Sequence, residues 1–370
     1  MRFPEFSGEW KEEQLDSIAT LSKGIGISKE QLSEDGEPCI LYGELYTKYK
    51  SEIIKQVESK TDINGSKLKR SKANDVIIPC SGETAVDIAT ARCVPFDNIL
   101  FGGDLNVISL HKYDGAFMSY QLNGKRKYDI ARVAQGVSVV HLYGEHLKAI
   151  KTYNPSLPEQ QKIAELLSLI DERIATQNKI IEDLKKLKSA ISERLFKSVK
   201  GFTVLLSDLC DIVKGKQING ENLSESGNYY VMNGGTELSG YYDDYNVEAN
   251  TISISEGGNS CGYVQFNTSP FWSGGHCYSI QNIADKVDNM YLYHYLKSNE
   301  DAIMKLRIGS GLPNIQKKDL AMFKIIVPKI EWQIKISTFL SSLERKAEIE
   351  ERIQNVMQKQ KLYLLQQMFI

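Results

Sequence analysis

Two tight runs of cations stand out among the side chains able to do chemistry in the first half of the chain. Lys67, Lys69, Arg70 and Lys72 form one, and Lys125, Arg126 and Lys127 follow the Asn123-Gly124 turn as the other. In the second half, comparable loops hold Lys214, Lys216, Gln217 and Asn219, then Asn233 with Tyr241, then Arg307 with Asn314. Lysine and arginine neutralise phosphates, while Arg, Asn and Gln make paired hydrogen bonds to purine edges. These are the candidate DNA contacts, although a charged run taken alone more often marks a solvated loop.

No catalytic constellation accompanies them. Gly24-Ile25-Gly26 has Lys29 where the third glycine of a dinucleotide or methyl-donor loop would stand, and Gly309-Ser310-Gly311 has Asn314. No phosphate loop of the GxxxxGK[ST] type is present. Asn154-Pro155 continues into Ser156-Leu157, not the second proline and aromatic of an amino-methyltransferase motif. No serine sits in a nucleophile elbow. His276-Cys277 with Cys261 lacks a fourth ligand at zinc spacing, and the six cysteines show no paired spacing, so free buried thiols are expected. The expectation is a chain without catalytic residue, metal or cofactor of its own.

At 370 residues, with 42% hydrophobic and 25% charged residues, the composition is that of an ordinary soluble protein of about two domains. A net charge of −2 means that any DNA-binding face is local or shared with a partner. The first ten residues carry Arg2, Glu5 and Glu9 and resemble no leader, and no apolar run approaches a membrane span, so a cytoplasmic location is expected.

The elements that must position these side chains occur twice. At a constant offset of 173 residues, Pro155, Gln160, Lys162, Ile163, Leu167-Ser168, Ile180, Lys188 and Phe196 match Pro328, Gln333, Lys335, Ile336, Leu340-Ser341, Ile353, Lys361 and Phe369. Upstream, Gly136, Leu147 and Lys151 match Gly309, Leu320 and Lys324. At shifted offsets Lys23-Gly24, Gly36 and Gly43 answer to Lys214-Gly215, Gly227 and Gly234. Asn74 to Ile78 likewise answers to Asn250 to Ile254, and Gly102-Gly103 to Gly274-Gly275. A duplicated protein follows, with the first globular copy longer, mostly between Gly43 and Asn74.

Each copy ends in a long helix. Ile163, Leu167, Ile170, Ile174, Ile181, Leu184, Ile191 and Leu195 recur by fours and threes, with Gln177 and Lys188 in two seam positions. The second stripe reads Ile336, Leu340, Leu343, Ala347, Met357 and Leu364, interrupted by Glu350, Gln354 and Lys361. Helices this long need a helical partner. The matching stripe in the chain belongs to the other copy, with a partner subunit as an alternative cover for part of either. If the two stripes meet within the chain, connectivity makes them antiparallel. The organisation expected is a first globular domain over 1–154, a long helix over 155–200, a second globular domain over 201–327 and a second long helix over 328–370.

Within the heads, strands are expected at Val76 to Ile78, Asn98 to Phe101, Val137 to Leu142, Tyr229 to Met232, Thr251 to Ser255, Cys277 to Ile280 and Phe323 to Val327. One amphipathic helix is expected at Tyr291 to Leu306. The fold class is therefore α+β: two homologous mixed heads joined by two long helices in an antiparallel coiled coil.

The opening Arg2-Phe3-Pro4-Glu5-Phe6 with Trp10, Leu15, Ile18 and Gly24, the Pro158-Glu159-Gln160-Gln161-Lys162-Ile163-Ala164 segment leading to Leu169-Ile170-Asp171, and the Lys188 to Phe196 stretch resemble a type I restriction-modification DNA specificity subunit. The second copy departs from this pattern in placing Glu331 and Trp332 where Pro158 and Glu159 stand. The resemblance spans the chain. It implies two target-recognition domains, each reading one half of a split, asymmetric DNA site, and a non-catalytic subunit. It also implies docking of two methyltransferase subunits, which bring S-adenosylmethionine, and of restriction subunits. The rival reading of the residues is a coiled-coil scaffold whose heads bind protein, and a weaker one is a fused enzyme.

Overall fold

The structure, a computed structural model, describes residues 2–64, 67–309, 311 and 313–369. It divides into two compact units, Met1–Asn178 with Arg352–Ile370, and Lys179–Glu351. Four helices organise them: α1 (Gly115–Asn123), α2 (Leu157–Ser198), α3 (Asn289–Ser298) and α4 (Ile330–Gln367). Pro158 falls in the first turn of α2, where a missing N–H costs nothing, and Gly201 lies beyond its end. Both long helices pass from one unit into the other, so the compact units cut across the boundaries drawn from sequence.

The first unit contains a four-stranded antiparallel sheet built from β1 (Ala19–Lys23), β2 (Asp75–Pro79), β3 (Arg92–Val94) and β4 (Leu105–Leu110), in the order β1-β4-β2-β3. The second has β5 (Asp211–Lys214), β6 (Thr251–Ser255), β7 (Val264–Asn267) and β8 (Cys277–Gln281), in the order β5-β8-β6-β7. The connectivity is the same in both. Each unit adds a parallel pair, Glu37–Ile40 with Leu100–Phe101 in the first and Tyr229–Met232 with Trp272–Ser273 in the second. Each closes with an antiparallel ribbon, Lys11–Gln14 on Lys151–Asn154 and Phe202–Leu205 on Lys324–Val327. One α+β fold is used twice.

The repeated glutamine explains why the helix motif survives. Gln160, fully buried, accepts a hydrogen bond from the backbone N–H of Asp114 (2.9 Å) and donates to the carbonyl of Pro155 (2.8 Å). Gln333 does the same with Asp288 (2.9 Å) and Pro328 (2.8 Å). Asp114 and Asp288 in turn cap α1 and α3, each accepting from the N–H three residues on at 2.7 Å. Each head is thus fastened to the start of the helix that follows it.

The end of the other long helix completes each unit. In the first, Phe369 packs on Phe117 (ring centroids 5.3 Å) and Lys361 bonds Asp171 at 2.6 Å. In the second, Phe196 packs on Tyr291 (5.7 Å) and Lys188 bonds Glu344 at 2.6 Å. These contacts, with Gln354 to Asn178 (2.9 Å) and Lys185 to Glu351 (2.5 Å), make α2 and α4 antiparallel inside each unit. Among the seam residues Ile163, Leu167, Ile181, Ile336 and Leu340 are buried. Ile170, Ile174, Leu184, Ile191, Leu195, Leu343, Ala347, Met357 and Leu364 are half-buried.

His294, 2% exposed on α3, shares a hydrogen bond with Ser341 at 2.9 Å, and burial pushes its imidazole down to about 4. A histidine whose folded value lies below its unfolded one of about 6.5 leaves stability intact above pH 6.5 and removes it as pH falls toward 4. The second unit is expected to lose about 3 kcal/mol across that window. Denaturant melts of the wild type and His294→Gln at pH 7 and pH 4.5 test this: the wild type should show the larger acid loss, and equal losses would refute it.

Several sequence expectations are corrected. Tyr291 to Leu306 is not one helix: α3 stops at Asn299, whose N–H turns back to the carbonyls of Tyr295 and Leu296, and a short helix Glu300–Met304 follows. Lys297 and Glu300 are drawn off to the carbonyl and N–H of Val264 (2.8 and 2.6 Å), capping the edge of β7. The strand at Asn98 to Phe101 shrinks to Leu100–Phe101 because Asn98 takes φ 64°. That at Val137 to Leu142 shrinks to Val140–His141, with Val137 exposed beyond Gly136. Helix α1 and strands β1, β3, β4, β5 and β7 were not anticipated.

The extra residues between Gly43 and Asn74 have a definite task. Ser51 bonds Asp171 (3.0 Å), and Lys55 bonds Ser168 (2.8 Å) and Glu172 (3.0 Å), so this segment lies along α2. In the second unit the residues 173 further on, Ser341 and Arg345, line an open groove of about 560 Å³ with Met290, Ile334, Ser337 and Thr338.

Candidate nucleic-acid interface

In the second head, strand ends and glycine turns gather most of the candidate side chains. Lys214 ends β5. The next residue, Gly215, donates to the carbonyl of Cys277 (2.8 Å) at the start of β8, and a Cβ there would run into the Gly274 carbonyl oxygen. Lys216 donates through its backbone to Ser273 (2.8 Å), and its carbonyl accepts from the Trp272 indole (3.0 Å). Gln217 lies against Gly275. Asn233 accepts from the His276 N–H (3.2 Å), and the following Gly234 takes φ 86° to fit beside the His276 carbonyl.

Beneath these turns sits Glu256, 8% exposed, directly after β6. Its Oε1 accepts from Lys214 Nζ (2.7 Å) and from the Tyr278 hydroxyl (3.0 Å). Its Oε2 lies 3.9 Å from His276 Nδ1. Its backbone accepts from Ile315 (2.8 Å) and donates to His276 (2.9 Å), which ties the Asn314 loop to the same place. Asn314 pairs through its backbone with Ile308, next to Arg307, and also bridges Gly257. Ser310 and Leu312 of that loop lie outside the described residues.

Asn219 and Tyr241 are not part of this gathering. Tyr241 belongs to the smaller sheet, pairing with Tyr230 and with Ser224. Nearby, Tyr242 meets Trp272 edge-on at 5.0 Å and Tyr229 meets Tyr245 at 4.8 Å, an aromatic border suited to stacking.

The first head repeats the frame with other side chains. Gly24 follows Lys23 at the end of β1 and donates to Leu105 (2.9 Å), and a Cβ there would run into the Gly102 carbonyl oxygen. Lys23, exposed and 5.6 Å over the Tyr143 ring, occupies the place of Lys214. Sequence reasoning left Lys23 out of the candidates, although the Lys-Gly repeat at offset 191 marks it. Cys80 stands where Glu256 stands, at offset 176, and Asp104 where His276 stands, at offset 172. Burial pushes the Cys80 thiol up to about 11, so this position carries no charge. All six cysteines are free and buried.

The two basic runs of the first head fall in different places. Lys69 and Arg70 form a short strand beside Leu100–Phe101, and Arg70 is held by Glu37 through two bonds (2.6 and 3.0 Å). Lys67 and Lys72 are exposed. Lys125 to Lys127 follow α1, where Gly124 abuts the carbonyl of Leu365 near the end of α4, and Arg126 stacks on Tyr153 at 5.1 Å. That run therefore borders the end of α4. No helix among the described residues is long and apolar enough to cross a membrane.

Two copies of one head, each fastened to paired helices and each ending a strand in a lysine followed by a tightly packed glycine, define a duplicated protein. The sequence profile of the type I restriction modification DNA specificity domain matches residues 7–186 and again 201–359, and the chain belongs to that family, the non-catalytic DNA-recognition component of restriction-modification systems. A Mycoplasma pneumoniae protein described as a type I specificity subunit is 33% identical over 145 residues, 39% of this chain and 38% of that protein. The type I restriction enzyme MjaVIII specificity subunit of Methanocaldococcus jannaschii is 25% identical, covering 78% of this chain and 76% of its own. The crystal structure of the type I S subunit from M. genitalium shares the fold, with a TM-score of 0.69 at 20% identity over 100% of this chain and 97% of that one.

Proposed function

We propose that this chain reads a bipartite, asymmetric DNA target, one half-site per head, and directs partner methyltransferase and restriction subunits to it. The observation that carries this reading is the repeated frame with unlike chemistry at equivalent places: Lys214, Glu256 and His276 in one head, Lys23, Cys80 and Asp104 in the other. Two readers built alike and dressed differently suit two different short sequences. Phosphate contacts come from the exposed lysines of the turns, and base contacts from the side chains gathered among them. S-adenosylmethionine belongs to the methyltransferase partner. Docking of partners is supported by apolar residues left exposed on the long helices, Trp332, Ile334 and Phe339 in one unit and Leu169, Val356 and Tyr363 in the other.

Methylation mapping of a host genome expressing the chain with its methyltransferase partner tests the proposal. The expected result is one motif of two unlike short halves separated by unread bases. DNA affinity of that complex should also fall steeply with salt. A continuous or palindromic motif would refute the split reading, and salt-independent or absent DNA binding would favour the protein-binding scaffold.

A further inference from the structure

We propose that Glu256 is a specificity-determining residue of the second head, selecting a base that carries an exocyclic amino group, adenine or cytosine, at one position of its half-site. The inference rests on the reading of that head as a DNA-recognition domain and goes further by naming the base chemistry it selects.

A carboxylate only accepts hydrogen bonds. In the major groove adenine N6 and cytosine N4 donate, whereas guanine O6 and thymine O4 accept, so a carboxylate turned to a base edge welcomes the first pair and opposes the second. Glu256 is built for such a role. Both hydrogen bonds described for its side chain, from Lys214 and Tyr278, fall on Oε1, while Oε2 lies 3.9 Å from His276 Nδ1, beyond hydrogen-bond reach. Above it stand two side chains open to solvent, Lys214 at 54% and His276 at 63% side-chain exposure, while the Glu256 side chain keeps 11%.

Its position is fixed from below and from both sides. The single Tyr278 O–H is shared between Glu256 Oε1 and the Ile315 carbonyl at 3.1 Å, and the Glu256 backbone is joined to His276 and Ile315. Lys214 adds a donor beside the acceptor. Together they match a base edge on which an acceptor and an amino group are neighbours, as adenine N7 and N6 are. The first head has uncharged Cys80 at this place, so its half-site carries no such selection from the equivalent residue.

The test compares methylomes of hosts carrying the partner methyltransferase with the wild-type chain, with Glu256→Gln and with Lys214→Met. A glutamine amide can turn either its oxygen or its NH2 to the base, so it keeps the shape and can still hold the wild-type base while also admitting one that only accepts. In Glu256→Gln one position of the second head's half-site, adenine or cytosine in the wild type, should come to accept guanine or thymine, its discrimination falling roughly ten- to a hundredfold. The first head's half-site and the spacer should stay as they were. Lys214→Met, on the exposed side of the pair, should weaken the same position without needing Glu256 to be touched. Relaxation at one defined base is not what a merely structural ion pair would give, since loss of structure weakens every position together. An assembled Glu256→Gln complex with an unaltered motif, or one relaxed in the half-site of the first head, would overturn the inference while leaving bipartite recognition standing. A wild-type complex that yields no split motif would sink the recognition reading and this inference with it.

Discussion

Replacing Lys361 by methionine is expected to destabilise the first unit by about 3–5 kcal/mol, the usual cost of leaving a buried charge without its partner. Lys361 is the cation between two carboxylates, Glu52 at 2.5 Å and Asp171 at 2.6 Å, all three largely shielded from water. Asp171 has other donors, the Tyr120 hydroxyl at 2.7 Å and Ser51 at 3.0 Å. Glu52 depends more on Lys361, with buried Arg92 as the other nearby cation, and burial already raises its carboxyl above the ordinary range. A carboxyl whose folded value is raised costs stability when ionised, so the deficit of the variant should shrink as pH falls and Glu52 takes up a proton. Lys188→Met is the internal control. It removes the repeat-related cation, but its partner Glu344 is more exposed, so a loss of about 1 kcal/mol or less is expected. Hydrogen exchange should locate the first effect at residues 157–178 and 352–369. Equal losses in the two variants would contradict this account of the buried cluster.

On the proposed bipartite reading, inserting seven residues into both long helices near Asn178 and Gln354 is expected to lengthen the unread DNA spacer by about three base pairs. Seven residues complete a heptad, so the apolar seam resumes in phase, and they add about 10 Å of helix. At about 3.4 Å per base pair this corresponds to three steps of duplex. The same three steps turn the second half-site by roughly 100° about the duplex axis, so the variant should bind more weakly while reading the same two half-sites. Methylation mapping decides the matter: an unchanged spacer, or an altered half-site sequence, would show that the long helices do not set the distance between the readers.

The parts of this protein that could be read from sequence are those whose cause is periodic or repeated. The seam of α2 recurs by threes and fours because one face is covered, and Gln160 and Gln333 repeat because both make the same two backbone bonds. Helix α1 was invisible for the opposite reason. Seven of its nine residues are buried, including Ser119 and Gln121, so it has no polar face to give a period. The short strands β3 and β7 carry three and four residues and are set by their neighbours. Among the candidate contacts, Lys214, Gln217 and Asn233 were legible as polar residues on glycine turns. Glu256 was not, because what distinguishes it is burial beneath Lys214, and burial of a lone carboxylate leaves no mark in sequence.

The clamp at the root of each head touches main-chain atoms on both sides: the N–H of Asp114 and the carbonyl of Pro155, and likewise the N–H of Asp288 and the carbonyl of Pro328. A joint made with backbone groups places little demand on the identity of the side chains beyond it. Descendants of an ancestral duplication could therefore rewrite the outer surfaces of their heads, substitution by substitution, while the hinge pins that hold them needed no revision.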